Sequence, residues 1–274
     1  MAIFMDRHDL LGATAADLAE AHRKDLEIQD QYGVKFMTYW FDEQRGTVFC
    51  LVDAPDRDTV QCVHREAHGH VPGEIVEVAI SAVEAFLGRI QDPAPQPGEP
   101  EASVDGGLRT IMFTDIVGST EMTARLGDRM AAELIRAHDG IVRSALAKFA
   151  GREVKHMGDG IMASFDAAAP AVDCARAIQQ NLARYNEGNS EPIHVRIGLD
   201  SGEPVTDSND LFGSTVQMAA RLCNAALSDQ ILVSESLVKD HLDPTGFTKT
   251  KRRKLKGFSQ PVTAFECTWG PVSK

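Results

Sequence analysis

The stretch IMFTDIVGST, residues 111–120, puts one aspartate, Asp115, at the end of an apolar run that enters a glycine turn. Further along, VKHMGDGIMASF, residues 154–165, puts Asp159 between two glycines, which is typical of a β-hairpin tip. If the two strands are neighbours, both carboxylates point at one place and repel each other, and divalent cations remove that repulsion. Carboxylate oxygens suit Mg²⁺ or Mn²⁺. From these residues alone, a turn-capping Asp115 and an ordinary hairpin aspartate at 159 stay equally open.

Composition narrows the class of protein. The chain has 274 residues, with 43% hydrophobic and 25% charged residues, as in ordinary globular proteins. Its net charge of -12 argues against a general binder of nucleic acid or anionic membrane. The five cysteines form no CxxC pair, the N-terminal segment is too charged for a secretory signal, and no apolar run is long enough to span a bilayer. We therefore expect a cytoplasmic protein with no nucleic-acid and no membrane partner.

A proline-rich segment divides the chain. Residues 91–107, QDPAPQPGEPEASVDGG, contain four prolines and no apolar periodicity, which is typical of a solvated, semi-extended linker. We expect one domain at residues 1–90 and a second at residues 108–271.

Both domains are expected to belong to the α+β class. The first alternates strand and helix patterns in the order βαββαβ, which is the ferredoxin-like order. It is followed by an apolar-patterned segment at residues 78–90, for which a packing helix is expected. The second domain repeats this logic on a larger scale, with a hairpin around the GDG and three longer helical patterns. An antiparallel sheet with helices is its expected core.

Histidines are concentrated near the N-terminus. Five of the nine lie within the first 70 residues. His64 and His68 are four apart and share one face of a predicted helix, His22 and Asp25 are three apart, and His8 ends the first predicted strand. Imidazole clusters of this kind suit nickel, zinc or copper. For the HxxxH pattern alone, an exposed polar helix face is the more frequent explanation.

Four linked motifs carry a family resemblance in the second domain. FTDIVGST, VKHMGDGIMASF, RIGLDSGEPV and DLFGSTVQMAARL, in this order, resemble the class III nucleotidyl cyclase catalytic domain over Arg109 to Trp269. The resemblance implies a ferredoxin-like core and the conversion of ATP to 3′,5′-cyclic AMP and pyrophosphate by two-metal-ion catalysis. It also implies a homodimer in which each subunit supplies half of each site.

The resemblance assigns roles to single residues. Asp115 and Asp159 match the aspartates that bind two Mg²⁺ or Mn²⁺ ions, with the backbone carbonyl of Ile116 completing one coordination shell. Lys155 and Asp210 match the pair that reads the purine. Their residue types favour adenine, because lysine donates to a ring nitrogen and aspartate accepts from the exocyclic amine.

Three further positions follow from the same match. Arg221 matches the arginine that stabilises charge on the transition-state phosphate, and Lys256 a lysine that holds the triphosphate. The rest of the basic run at residues 249–256 is expected to be solvated surface. Gln217 departs from the family pattern, because active members usually carry asparagine there. The longer side chain puts the rate in doubt more than the reaction type.

A second resemblance concerns residues 1–80. FMDRH, AHRKDLEIQDQYGVKFMTYWF, FCLVDAP and HREAHGHVPGEIVEV look like a small ferredoxin-like domain family associated with nickel binding. It implies a site for Ni²⁺ or another transition metal at four histidines, with His70 as an additional candidate: His8, His22, His64 and His68. The domain pairing motivates the hypothesis that metal occupancy regulates cyclisation. The alternative is a catalytically degenerate dimer that senses nucleotide or metal, supported only by Gln217.

Overall fold

The computed structural model describes residues 2–92, 105–205, 210–240, 243 and 245–270. Most of the predicted linker, residues 93–104, lies outside this described part. The chain divides into two compact units: Met1–Leu108 with Glu203–Gly213, and Arg109–Gly202 with Ser214–Lys274. Among the helices that the structure describes, none combines the length and apolarity needed to cross a membrane.

The first unit contains the predicted ferredoxin-like domain. Its elements are β1 Ala2–Asp9, α1 Ala15–Tyr32, β2 Lys35–Asp42, β3 Thr47–Ala54, α2 Arg57–Ala67, β4 Glu74–Glu77 and α3 Ile80–Leu87. The four strands are antiparallel in the order β2-β3-β1-β4, which confirms the predicted fold. The last strand is shorter than the apolar pattern predicts, because helix α3 begins only three residues after it.

Local signals fix the two helices that cover this sheet. Helix α1 begins at a capping box in which Thr14 and Asp17 bond reciprocally, and it ends at Gly33 in the left-handed region, at φ 63°. Helix α2 begins at Asp56, whose side chain accepts from the Thr59 amide. Both helices carry buried polar side chains, Asp25 on α1 and His64 on α2. The interior of this unit is therefore polar where these helices meet the sheet.

The second unit is larger. Its elements are β5 Arg109–Ile116, α4 Ser119–Leu126, α5 Asp128–Lys148, β6 Arg152–His156, β7 Ile161–Phe165, α6 Ala168–Gly188, β8 Val195–Gly202, α7 Gly213–Ala225, β9 Ile231–Ser234, α8 Glu235–Asp240, β10 Phe247–Lys249 and β11 Ala264–Cys267. The sheet order is β10-β11-β9-β8-β5-β7-β6. Strands β6, β7, β5 and β8 repeat the ferredoxin-like order, as predicted. Only the β8–β9 pair is parallel among the described strands.

Helices cover both faces of this sheet. Along β9, Ile231 and Val233 pack into the large core with α5 and α6, whereas Leu232 packs against Leu222 of α7. Because successive strand residues point to opposite faces, α7 lies on the face opposite α5 and α6. A Cβ on Gly198 of β8 would lie 2.2 Å from the backbone nitrogen of Cys223 in α7, so only glycine permits this close contact.

Asp200 on β8 gives a stability prediction. Burial raises the pKa of its carboxyl to about 6, although hydroxyls of Ser234 and Ser236 bond to it. Because the pKa of Asp200 is higher in the folded chain than its ordinary value of 3.8, ionisation of this carboxyl lowers the free energy of unfolding. The loss is absent below about pH 4, grows as the pH rises to about 6, and is complete above that. Asp200→Asn should therefore raise the free energy of unfolding at pH 7.5 by about 2–3 kcal/mol. Urea unfolding at pH 7.5 and pH 4 checks this, and a gain that persists at pH 4 would contradict the explanation.

Candidate active site and candidate metal centre

The GDG hairpin lies against the end of β5. The Ile116 amide donates to the carbonyl of Asp159 at 3.0 Å, and the Ile161 amide donates to Thr114 Oγ1 at 3.0 Å. A Cβ on Gly160 would lie 2.0 Å from the carbonyl oxygen of Thr114. The second glycine of the motif is thus required for close approach, and it brings Asp159 beside Asp115.

Both aspartates are partly satisfied by the chain itself. Asp115 Oδ2 accepts from Arg196 Nε at 2.6 Å, and Asp159 Oδ2 accepts from Ser119 Oγ at 2.5 Å. Among the described residues, neither Oδ1 atom has a partner. Two adjacent carboxylates with free oxygens, both only partly exposed, form a donor set that fits a hard divalent cation.

A histidine network supports the strand before the GDG. Asp139 of α5 bonds His138 Nδ1 at 3.0 Å and His156 Nε2 at 2.8 Å. His156 Nδ1 in turn accepts from the Gly158 amide at 3.3 Å. Burial lowers the pKa of His138, even though the Asp139 carboxylate acts in the opposite direction. The network therefore joins α5 to the turn that carries Asp159.

The residues predicted to bind nucleotide are exposed. Lys155 lies on the sheet-edge strand β6, and its side chain forms no ion pair with a described residue. Gln217 and Arg221, one turn apart on α7, are exposed and partly exposed. Asp210 is exposed, precedes α7 and belongs to the first unit. These exposed side chains are free to contact a ligand or another copy of the chain.

Lys256 lies near the same helix. Its neighbour Leu255 is buried against Leu222 of α7, and Arg253 donates to the carbonyl of Ala225 at 2.7 Å. Because Leu222 follows Arg221 directly, the segment with Lys256 is anchored beside the helix with Arg221. The other basic residues of the run are exposed or partly exposed, as expected of surface.

A second candidate site lies inside the first unit. A small cavity of about 20 Å³, enough for one water molecule or ion, is bordered by His8, His22, His64, His68 and His70. Two groups have donor atoms within 4.8 Å of one another: Asp6, His8, Cys50 and His64, and Asp25, His64 and His68. His64 belongs to both groups.

His64 lies between two buried carboxylates. Its Nε2 is 3.0 Å from Asp6 Oδ2, and its Nδ1 is 3.2 Å from Asp25 Oδ1. Burial alone would lower the pKa of His64, but these carboxylates raise it to about 10. Burial would likewise raise the pKa of Asp6 and Asp25, but the neighbouring imidazoles hold both below the usual range. These groups therefore form an ion-pair cluster, and a metal that bound through His64 would have to displace its proton.

The donor set fits a transition metal. The Nδ1 atoms of His8 and His22 are buried and lack a hydrogen-bond partner among the described residues. Imidazole, carboxylate and thiol donors suit nickel, zinc or copper. The structure places His8 and His64 in one donor group and His64 and His68 in the other, and their role as ligands stays a prediction. His22 borders the same cavity, but its Nε2 lies 3.3 Å from Asp92 and it is in neither donor group. Its role as a ligand likewise stays a prediction.

Several residues near these sites were not predicted. Asp6 and His8 are two residues apart in β1, so they lie on one face of the strand, and this spacing could have indicated Asp6 as a further donor. The spacing of His22 and Asp25 on α1 indicated the same cavity. Cys50 reaches the site only through the pairing of β3 with β1, opposite Asp6. Arg196 contacts Asp115 through cross-strand register, and Ser119 contacts Asp159 from the start of α4, after the turn that follows β5. Neither contact is visible in the sequence.

Comparison with known proteins matches this geometry. Residues 107–265, more than half of the chain, match the family model of the adenylate and guanylate cyclase catalytic domain. The chain belongs to this family. Residues 4–78 match a second model, described as nickel responsive protein SCO4226-like.

Relatives and solved structures agree on the cyclase fold. An adenylate cyclase of Streptomyces coelicolor is 32% identical over 53% of this chain and 37% of its own length. One of Streptomyces griseus is 30% identical over 53% of this chain and 35% of its length. The chain thus spans about a third of these relatives. The guanylate cyclase domain of RhGC from Catenaria anguillulae, solved with GTP, has a TM-score of 0.53 at 21% identity, covering 59% of this chain and 96% of that domain.

Proposed function

We propose that this protein is an adenylate cyclase that converts ATP to 3′,5′-cyclic AMP and pyrophosphate. The observation that carries the proposal is the paired aspartates at the end of β5 and the GDG tip, each with one oxygen that has no partner among the described residues. Relatives named adenylate cyclase support the same reaction.

The chain's own groups divide the catalytic work. Two divalent ions, Mg²⁺ or Mn²⁺, when bound by Asp115 and Asp159 with the carbonyl of Ile116, supply acidification of the ribose 3′-hydroxyl and neutralise phosphate charge. Arg221 donates to the α-phosphate as charge develops there, and Lys256 holds the leaving pyrophosphate. No protein nucleophile is needed, so positioning and electrostatics dominate the rate.

Substrate choice and assembly follow from the exposed residues. Lys155 donates to a ring nitrogen of adenine, and Asp210 accepts from its exocyclic amine. The exposure of Lys155, Gln217 and Arg221 supports a homodimer in which one subunit's metal site meets the other's recognition residues.

Base selection can be measured directly. We expect kcat/KM for ATP to exceed that for GTP by about a hundredfold. ATP satisfies the polar groups that read the base, whereas GTP leaves one of them unpaired, and a difference of this kind can supply such a ratio. Asp210→Ala should lower kcat/KM for ATP and leave the GTP value within a few-fold. Asp173→Ala, an exposed aspartate on α6, is the matched control. Equal use of ATP and GTP by the unaltered protein would refute adenine selection.

The first unit is proposed to bind Ni²⁺ or another transition metal and to regulate the cyclase. His64 contributes to both donor groups, so His64→Ala should weaken Ni²⁺ binding by a hundredfold or more, in line with the loss of a shared ligand. Calorimetric titration measures this. His194→Ala, which removes an exposed histidine paired with Asp229, should bind Ni²⁺ normally. Unchanged Ni²⁺ affinity in His64→Ala would exclude this site.

Regulation needs its own test. The cyclase rate and the dimer fraction are measured across a Ni²⁺ titration, with His64→Ala in parallel to remove effects of Ni²⁺ at the catalytic aspartates. A response present only in the unaltered protein supports regulation. Identical curves for the two proteins refute it.

A catalytically degenerate dimer that senses nucleotide or metal is the second candidate. Gln217, one methylene longer than the asparagine of active members, favours it. ATP binding without turnover, restored by Gln217→Asn, would support this candidate over the first.

A further inference from the structure

Arg196 forms an ion pair with the candidate metal ligand Asp115. The two residues are register partners on the neighbouring strands β8 and β5, and Nε lies 2.6 Å from Oδ2. Their side chains are 29% and 23% exposed, so water screens this pair less than a surface salt bridge. A cation supplied by the chain therefore stands where the proposed function needs a divalent ion.

The guanidinium is held from its other side by α7. Arg196 Nη1 donates to the carbonyl of Asn224 at 3.2 Å, and Nη2 reaches Asn224 Oδ1 at 3.5 Å. The Cys223 thiol donates to the carbonyl of Arg196 at 3.4 Å. The close contact of Gly198 with α7 fixes the same strand. Arg196 is thus anchored independently of Asp115, and its charge remains near the carboxylate.

Asp159 has a different partner. Its Oδ2 accepts from the neutral hydroxyl of Ser119. A hydroxyl orients a carboxylate without repelling an incoming cation. A guanidinium also orients the carboxylate, but its positive charge repels the cation. The two metal ligands therefore differ in what must be displaced when an ion arrives.

We propose that Arg196 competes with the divalent cation for the carboxylate of Asp115. This proposal rests on the proposed two-metal site. In the metal-free protein, Arg196 neutralises Asp115 and holds its orientation. On loading, Asp115 Oδ2 exchanges the guanidinium for the ion, while Arg196 keeps its bonds to Asn224. Arg196 thus lowers the affinity for divalent ions and sets the concentration range in which the site fills.

Direct metal binding without nucleotide tests this. Mn²⁺ affinity is measured by calorimetry on stripped full-length protein, and only binding lost in Asp115→Asn is assigned to the site. Arg196→Gln should bind Mn²⁺ about tenfold more tightly, the size expected from removing one nearby charge at a high effective dielectric. Arg196→Lys, which keeps the charge, should stay within about threefold of the unaltered protein on the same electrostatic ground. Arg125→Gln removes an exposed guanidinium that pairs with Glu191 and should change nothing.

The outcomes separate the two proposals. Unchanged or weaker Mn²⁺ binding in Arg196→Gln overturns the competitor role, because a structural joint between β8 and α7 predicts no gain. If Asp115→Asn binds Mn²⁺ like the unaltered protein, the metal site at Asp115 is wrong, and the proposed function fails with it.

A second measurement needs no altered protein to fold. The ¹H–¹⁵N resonance of Arg196 Nε, assigned through its own side-chain carbons, is followed during Mg²⁺ titration. It should move towards the position of a free arginine and saturate with Mg²⁺ binding. A resonance that stays in place at saturating Mg²⁺ would overturn the exchange.

Discussion

Asp159→Asn is expected to reduce cyclic AMP formation by about a thousandfold or more, because one anionic ligand of the proposed metal pair is lost from a site that depends on electrostatics. Asparagine has the same shape, and its amide oxygen still accepts from Ser119. The backbone bond from Ile116 to residue 159 is unaffected. The midpoint of thermal unfolding should therefore change little. Initial rates of cyclic AMP release at saturating ATP and Mn²⁺ measure the effect.

The control for this substitution is Asp173→Asn. Asp173 is 52% exposed on α6 and pairs with Arg176, three residues further along the same helix, so full activity is expected. If Asp159→Asn retains more than about a tenth of the activity, catalysis does not depend on this metal ligand in the way two-metal chemistry requires.

The second large effect concerns shared sites. Asp159→Asn and Arg221→Ala chains should each be nearly inactive alone, and their mixture should recover up to about a quarter of the activity. Half of the dimers in an equal mixture are heterodimers, and each has one intact site of two. Co-expression with different affinity tags, followed by the cyclase assay, measures the recovery.

The matched control pairs two defects from the same half of the site. Asp159→Asn mixed with Asp115→Asn should recover nothing, because neither subunit then supplies an intact metal site. Recovery in this control, or none in the first mixture, would contradict a site built from two subunits.

Much of the fold was predictable because local sequence patterns, such as apolar alternation and the positions of glycines, indicated the strands, helices and turns. Alternating apolar residues in β5 and the glycines around Asp159 predicted a strand end and a hairpin tip, and the structure brings the two aspartates together. The ferredoxin-like order of the first unit followed from the sequence of strand and helix patterns. The sequence does not show why position 160 must be glycine. The structure does, because a Cβ there would collide with the Thr114 carbonyl oxygen.

Other features depend on register and pairing between distant segments. Arg196 lies 81 residues from Asp115 and meets it only because β8 pairs with β5. Cys50 joins the histidine cluster through the pairing of β3 with β1, and the apolar neighbours of Cys50 gave no sign of a polar site. The parallel β8–β9 pair was also unexpected, because the patterns of both strands fit an antiparallel sheet equally well. Such contacts are set by tertiary packing, which residue periodicity does not encode.

The central claim is tested most directly by incubating the purified, unaltered protein with ATP and Mn²⁺ or Mg²⁺ and identifying the products by mass. The account predicts 3′,5′-cyclic AMP and pyrophosphate in equal amounts, with formation abolished by EDTA. Protein that binds ATP but forms no cyclic nucleotide with either metal would contradict it and identify a degenerate nucleotide-binding dimer instead.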